Sequence, residues 1–284
     1  MASNKSLATE SHIELASTQK RKRDSFFGAL YQKIHNMFFP ARIKCIICGD
    51  DLPEVREIEI CDRCKCKLNY ISENECCACC GAPVVGEAKY CFNCKDNDRE
   101  FDLGRSVFVY EGEVEKLIAG LKFSNKPYIS RTLGRCLGEL YKELNWQVDV
   151  VVPVPMTAAR RKERGYNQAE LLAEEFCEST KLPINTEVLV KIKDTEEQKE
   201  LSMRERQKNI QNAFKVTDKY FVKNHNVLII DDVMTTGATA SACAAALKKA
   251  HANRVFVLTI AHGRPKIPTQ NNLDNIKSII NSVK

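Results

Sequence analysis

Three groups of residues in this chain have types and spacings suited to chemistry. The first is the adjacent pair Asp231 and Asp232, followed by Thr235, Thr236, Gly237, Ala238 and Thr239. Neighbouring carboxylates accept hydrogen bonds from hydroxyls or help hold a divalent cation. A glycine-containing run of small hydroxyl residues that opens a helix offers unpaired N–H groups and a positive dipole end, which suits a phosphate. A ligand that satisfies both halves carries a phosphate and a vicinal diol, as a ribose 5-phosphate does. Two other phosphate-binding patterns are excluded: no Gly is followed by Lys, so G-x-x-x-x-G-K-[ST] is absent, and so is G-x-G-x-x-G.

The second group is sulfur-rich. Eleven of the fourteen cysteines lie between Cys45 and Cys94, and four pairs have C-x-x-C spacing: Cys45/Cys48, Cys61/Cys64, Cys77/Cys80 and Cys91/Cys94. Gly49 and Gly81 follow the first and third pairs, where glycine lets a knuckle aim its backbone N–H groups at thiolate sulfur. Such pairing in a chain without a secretory signal favours metal over a disulfide framework. Four thiolates make a closed tetrahedral structural site, so the expectation is two zinc ions in an internal repeat of two ribbons, with sequential pairing preferred to interleaving. Cys76/Cys79 shares the spacing of Cys77/Cys80; Gly81 selects the latter and leaves Cys66, Cys76 and Cys79 as spare thiols.

The third group is cationic: Arg160, Arg161, Lys162 and Arg164. Basic runs are ordinarily solvated faces. This one follows a buried strand, Val148 to Val154, that must stop at Pro153 and Pro155 because proline cannot donate to a ladder. Just beyond the carboxyl end of a parallel strand, it is placed to bind a pyrophosphate.

The elements that must position these groups are those of an α/β fold. Val227 to Ile230 is an uninterrupted aliphatic run, as expected of a parallel strand buried on both faces, and the alanine-rich stretch from Ala240 to Ala250 is a strong helix former. The expected unit is strand, acidic pair, tight loop, helix. Val107 to Tyr110 and Arg254 to Ala261 read as further strands, and Val114 to Lys122 and Ile129 to Leu144 as helices. Lys122 could face the site, but the preferred expectation is an exposed helical lysine. Arg164-Gly165-Tyr166-Asn167-Gln168 opens a helix to about Cys177. The polar stretch Glu196 to Val216 reads as a mobile loop or a charge-laced surface helix. Residues 1 to 23 are expected to be disordered, Asp24 to Phe39 to form an amphipathic helix, and Leu273, Ile276, Ile280 and Val283 to mark another near the end. The five histidines form no metal or triad spacing.

The chain divides into a basic tail and helix over residues 1–40, a double zinc ribbon over 41–98, an α/β domain over 99–265 and a tail over 266–284. At 284 residues and 44% hydrophobic content it can bury one medium core plus a smaller module. The ribbon, too polar to fold by burial alone, is expected to unfold without metal and leave the sheet intact. A net charge of +6 permits phosphate or nucleic-acid ligands. No run of about twenty apolar residues spans a membrane, and the N-terminus lacks a signal-peptide core, so the expected location is cytoplasmic.

The stretch from Asp231 to Thr239 resembles the phosphoribosyl-pyrophosphate motif of type I phosphoribosyltransferases. Three other blocks resemble the ComF family associated with natural competence: Tyr110 to Phe123, similar to its hood; VPVPMTAARRKERGYNQAELLA; and the pattern Gln198, Leu201-Ser202, Arg204, Arg206 and Asn209. The resemblance covers about Arg42 to Gly263, and the family carries a similar double ribbon. It implies a type I phosphoribosyltransferase sheet on which pyrophosphate is displaced from C1 of phosphoribosyl pyrophosphate, with Mg²⁺ bridging the leaving group. Asp231 and Asp232 would hold the ribose diol, and Thr235 to Thr239 the 5-phosphate. Arg160, Arg161 and Arg164 would neutralise the pyrophosphate, joined on loop closure by Arg204 or Arg206. A different class of function is a competence adaptor that holds single-stranded DNA or other competence proteins and uses the same pocket as a sensor.

Overall fold

A computed structural model describes residues 44–54, 56–84, 86–95, 99–193 and 212–264. The tail helices and the stretch holding Gln198, Arg204, Arg206 and Asn209 lie outside the described residues.

The strands among the described residues are β1 (Leu103–Val109), β2 (Val150–Pro153), β3 (Leu189–Lys191), β4 (Phe214–Val216), β5 (Asn226–Met234) and β6 (Arg254–His262). The longer helices are α1 (Gly112–Phe123), α2 (Ile129–Glu143), α3 (Ala158–Arg164), α4 (Gln168–Thr180) and α5 (Ala238–Lys249). Strands β1, β6, β5 and β2 form a parallel sheet in that order, and β3 pairs antiparallel with β4.

The central strand shows why the aliphatic run folds as it does. Val227, Leu228, Ile229 and Ile230 are each fully buried, and alternate residues enter opposite cores. Leu228 and Ile230 face the core shared with α1, α2 and α4, whereas Val227 and Ile229 face the one shared with α5 and the β3–β4 ribbon. Strand β5 does not end at Ile230. It continues through Asp231 and Asp232 to Met234 because β6 pairs with it that far, Asp231 opposite Thr259 and Met234 opposite His262. The basic run after β2 is also more ordered than its composition suggests. It forms α3, which stops at Gly165 with φ of 87°, and α4 starts three residues later under an Asn167 cap whose side chain accepts from the Ala169 N–H at 3.1 Å.

The cysteine-rich segment packs into these same cores. Cys45, Ile60, Cys64 and Leu68 join the α1–α2–α4 side, and Cys77, Cys80, Cys91 and Phe101 join the α5 side. The second ribbon lies directly on β1: the Gly104 N–H donates to the Cys79 carbonyl at 2.7 Å, and a Cβ on Gly81 would meet the Gly104 carbonyl at 2.7 Å.

Candidate functional site

The carboxyl ends of β2 and β5 open into a cleft of about 1070 Å³, lined among others by Lys122, Arg160, Arg164, Lys191, Asp231 and Asp232. It forms where parallel strands end between diverging helices, the place where such sheets take ligands.

The two acids have different surroundings. Asp232 is 3% exposed; its Oδ1 accepts from the Lys122 ammonium at 2.8 Å, and its Oδ2 has no partner. Asp231 is half-buried, and its Oδ1 accepts from the Asp232 backbone N–H at 2.8 Å. Burial, reinforced by the neighbouring Asp232 charge, pushes the Asp231 carboxyl up to about 7, against partial relief from that N–H, Lys122 and Lys191. A buried, unsatisfied carboxylate oxygen beside a second carboxylate is a built acceptor for hydroxyl donors.

The loop after β5 forms a smaller pocket of about 40 Å³, lined by Asp231, Thr235, Thr236, Gly237, Ala238, Thr239 and Thr259 among others. Gly237 adopts φ of 74°, a left-handed conformation that costs a non-glycine residue about 1–2 kcal/mol, and so turns the chain from strand into α5. The Thr235, Thr236 and Thr239 side chains are exposed toward solvent, available to a ligand at the helix end.

The structure separates the cations that the sequence groups together. Arg160 and Arg164 line the cleft; Arg164 donates to Gln168 Oε1 at 2.5 Å and lies 5.5 Å from the ring of Phe123. Arg161 does not line it. Its guanidinium pairs with Glu170 on α4 at 2.7 Å, off a different side of the short helix. Lys122, expected as an exposed helical lysine, is instead 23% exposed and turned inward onto Asp232. The end of α1 is steered there by Tyr166, whose hydroxyl donates to the Leu121 carbonyl at 2.6 Å. Lys191 on β3 also lines the cleft, and no feature of its local sequence distinguishes it from a surface lysine.

Away from the cleft, Cys45, Cys48, Cys61 and Cys64 come together, as do Cys77, Cys80, Cys91 and Cys94, with the sulfurs of each group within 4.8 Å of one another. Around a tetrahedral Zn²⁺ at about 2.3 Å per bond, sulfurs lie about 3.8 Å apart. Cys48 and Cys61 are separated by 3.8 Å and Cys80 and Cys91 by 3.6 Å, so the donor sets fit that ion. Hydrogen bonds among these sulfurs divide the charge unevenly, lowering the Cys77 thiol while raising those of Cys80 and Cys91. Cys76 stands outside both groups, its thiol donating to the Glu73 carbonyl at 3.4 Å. Gly49 and Gly81 have φ of 77° and 73°, the knuckle conformation that their positions imply.

Comparison with known proteins bears on both halves of the chain. Residues 122–284 match the phosphoribosyl transferase domain family, and residues 34–95 match the double zinc ribbon domain family. Competence protein F of Haemophilus influenzae is 28% identical over 224 residues, 77% of this chain and 96% of that protein. DNA utilization protein YhgH of Escherichia coli K12 is 30% identical over 188 residues, covering 64% and 81%. Among solved structures, orotate phosphoribosyltransferase of Mycobacterium tuberculosis in complex with phosphoribosyl pyrophosphate is 20% identical, with 53% of this chain and 74% of that one covered at a TM-score of 0.30. No helix among the described residues is long and apolar enough to cross a membrane.

Proposed function

The chain belongs to the phosphoribosyl transferase domain family, in the competence protein F branch that joins it to a double zinc ribbon, and from that premise we propose that the cleft binds phosphoribosyl pyrophosphate with Mg²⁺. The observation that carries this reading is Asp232, a buried carboxylate with one oxygen on Lys122 and the other unpartnered, beside the open loop from Thr235 to Thr239. Asp231 and Asp232 accept from the two ribose hydroxyls, while the N–H groups at the start of α5 and the threonine hydroxyls take the 5-phosphate. Arg160 and Arg164, with Lys191 across the cleft, neutralise the pyrophosphate; Arg204 and Arg206 keep the closing role that the family resemblance gives them. Mg²⁺, when bound, supplies further charge to the departing pyrophosphate. With the ring held by its diol and phosphate, C1 is fixed in place while positive charge develops on it, and the acid pair beside the ring stabilises that charge.

Calorimetric titration of the full chain with phosphoribosyl pyrophosphate tests the reading. Saturable binding that strengthens with Mg²⁺ is expected, and no heat at millimolar ligand would end it. Pyrophosphate release measured against a panel of nucleophiles then identifies the acceptor.

A second reading has its own observations. The relatives are named for competence and DNA utilization. At the cleft mouth Phe123 is 77% exposed beside Arg164, an aromatic face with a cation of the kind on which unpaired bases stack. On this reading the chain serves natural transformation by holding single-stranded DNA, and phosphoribosyl pyrophosphate acts as a sensed ligand. Oligonucleotide binding by the full chain should then fall steeply with salt and weaken in Phe123→Ala.

A further inference from the structure

The second cysteine group and the loop from Thr235 to Thr239 are joined by one short segment. Arg99 follows Cys94 by five residues; its Nε donates to Cys94 Sγ at 3.4 Å, and one Nη donates to the Asn93 carbonyl at 2.8 Å. The other Nη points at Gly237, 3.5 Å from where a Cβ on that residue would stand. The next two residues hold the same place. The Glu100 N–H donates to Ser241 Oγ on the first turn of α5 at 3.3 Å, and the Phe101 ring, 2% exposed, lies 3.6 Å from the same point on Gly237.

Chemistry gives this segment a purpose beyond packing. Four thiolates around one Zn²⁺ carry a net charge of −2, and a guanidinium donating to one of those sulfurs is held in direction by the cluster. Its remaining face delivers positive charge behind a loop whose front offers N–H groups to a phosphate. We propose that Arg99 is a positioning residue for the 5-phosphate loop, held by the Cys77, Cys80, Cys91 and Cys94 site, so that zinc in that site sets the loop's affinity for a phosphorylated ribose. The proposal rests on the phosphoribosyl-pyrophosphate reading above and adds to it a part played by the ribbon.

The test uses the full chain with three probes: phosphoribosyl pyrophosphate, ribose 5-phosphate and Mg²⁺-pyrophosphate. Arg99→Ala should keep two zinc ions by elemental analysis and lose about tenfold in affinity for the two probes that carry a 5-phosphate, because the loop loses the charge fixed behind it. Mg²⁺-pyrophosphate, bound on the other side of the cleft, should be unaffected. Arg99→Lys, which keeps the charge and loses the fork, should recover part of the loss. Cys94→Ser should lose one zinc and the same affinity, and adding Arg99→Ala to it should cost little more, because both act on one chain of contacts. Should Cys94→Ser fail to fold, the Arg99 pair carries the test alone. Unchanged ribose 5-phosphate binding in Arg99→Ala, or an equal loss for pyrophosphate, would overturn the proposal. A wild-type chain that binds none of the three would overturn the underlying reading instead.

Discussion

The Lys122 ammonium lies 2.8 Å from Asp232 Oδ1 and ties the last turn of α1 to the end of the central strand. With Asp232 almost fully buried, the pair holds a charge that would otherwise be desolvated without compensation. A ribose diol would reach the other oxygen of the same carboxylate. Lys122 is thereby placed both to steady Asp232 and to shape the surroundings of a bound ribose.

Replacing Lys122 with Met tests this pairing. A buried carboxylate left without its cation should cost roughly 1–3 kcal/mol of stability, less than for a fully enclosed pair because Lys122 keeps some access to water. Chemical denaturation measures it. Lys122→Met with Asp232→Asn should recover part of the loss; no recovery would mean that the lysine acts through packing alone.

Asp231 predicts a pH dependence. Its carboxyl is pushed up to about 7, first by burial and then by Asp232, so the folded chain holds a proton that the unfolded chain releases near 3.8. The stability from that proton is complete below 3.8 and is lost as pH rises to 7. Asp231→Asn removes the term. The melting temperature of the variant relative to wild type should therefore climb between pH 4 and 8, and a flat difference across that range would refute the shift.

The two knuckle glycines should differ in their tolerance of alanine. Both have positive φ, but a Cβ at Gly49 meets nothing within 4 Å, whereas at Gly81 it would meet the backbone of Gly104 and Arg105 at 2.7 and 2.8 Å. Gly49→Ala should cost about 1 kcal/mol of backbone strain. Gly81→Ala should cost more than about 3, because the second ribbon must lift from β1. Equal melting temperatures would show that the ribbon is not seated on β1.

Zinc removal should be felt across the molecule. From sequence the ribbon looks separable, a polar segment that melts and leaves the sheet behind. In the structure Cys77, Cys80 and Cys91 share a core with Val227 and Ile229, and Cys45 and Cys64 share the other with Leu228. Calorimetry with a strong chelator should show one transition shifted downward for the whole chain, with two zinc ions released. An unshifted sheet transition would restore the separable picture.

What the sequence discloses here is whatever depends on local spacing. Val227 to Ile230 announces a strand buried on both faces, and the C-x-x-C pairs announce their groups, because ligands with two residues between them share a turn. The fate of single long side chains is not local. Lys122 and a solvated lysine look alike in sequence, since what turns the end of α1 inward is tertiary, Asp232 at the end of the central strand and Tyr166, 44 positions away. Arg160 and Arg161 read as equivalent until the run proves helical, when neighbours 100° apart face different partners. Lys191 and Arg99 act through tertiary placement alone.

If Asp231 and Asp232 receive the hydroxyls of a phosphorylated ribose, calorimetry with phosphoribosyl pyrophosphate and Mg²⁺ on Asp231→Asn/Asp232→Asn must register their loss. Asparagine keeps the shape and removes charge-assisted bonds of roughly 1.5–3 kcal/mol each, so affinity should fall at least about tenfold. Affinity equal to that of the wild-type chain would contradict the account.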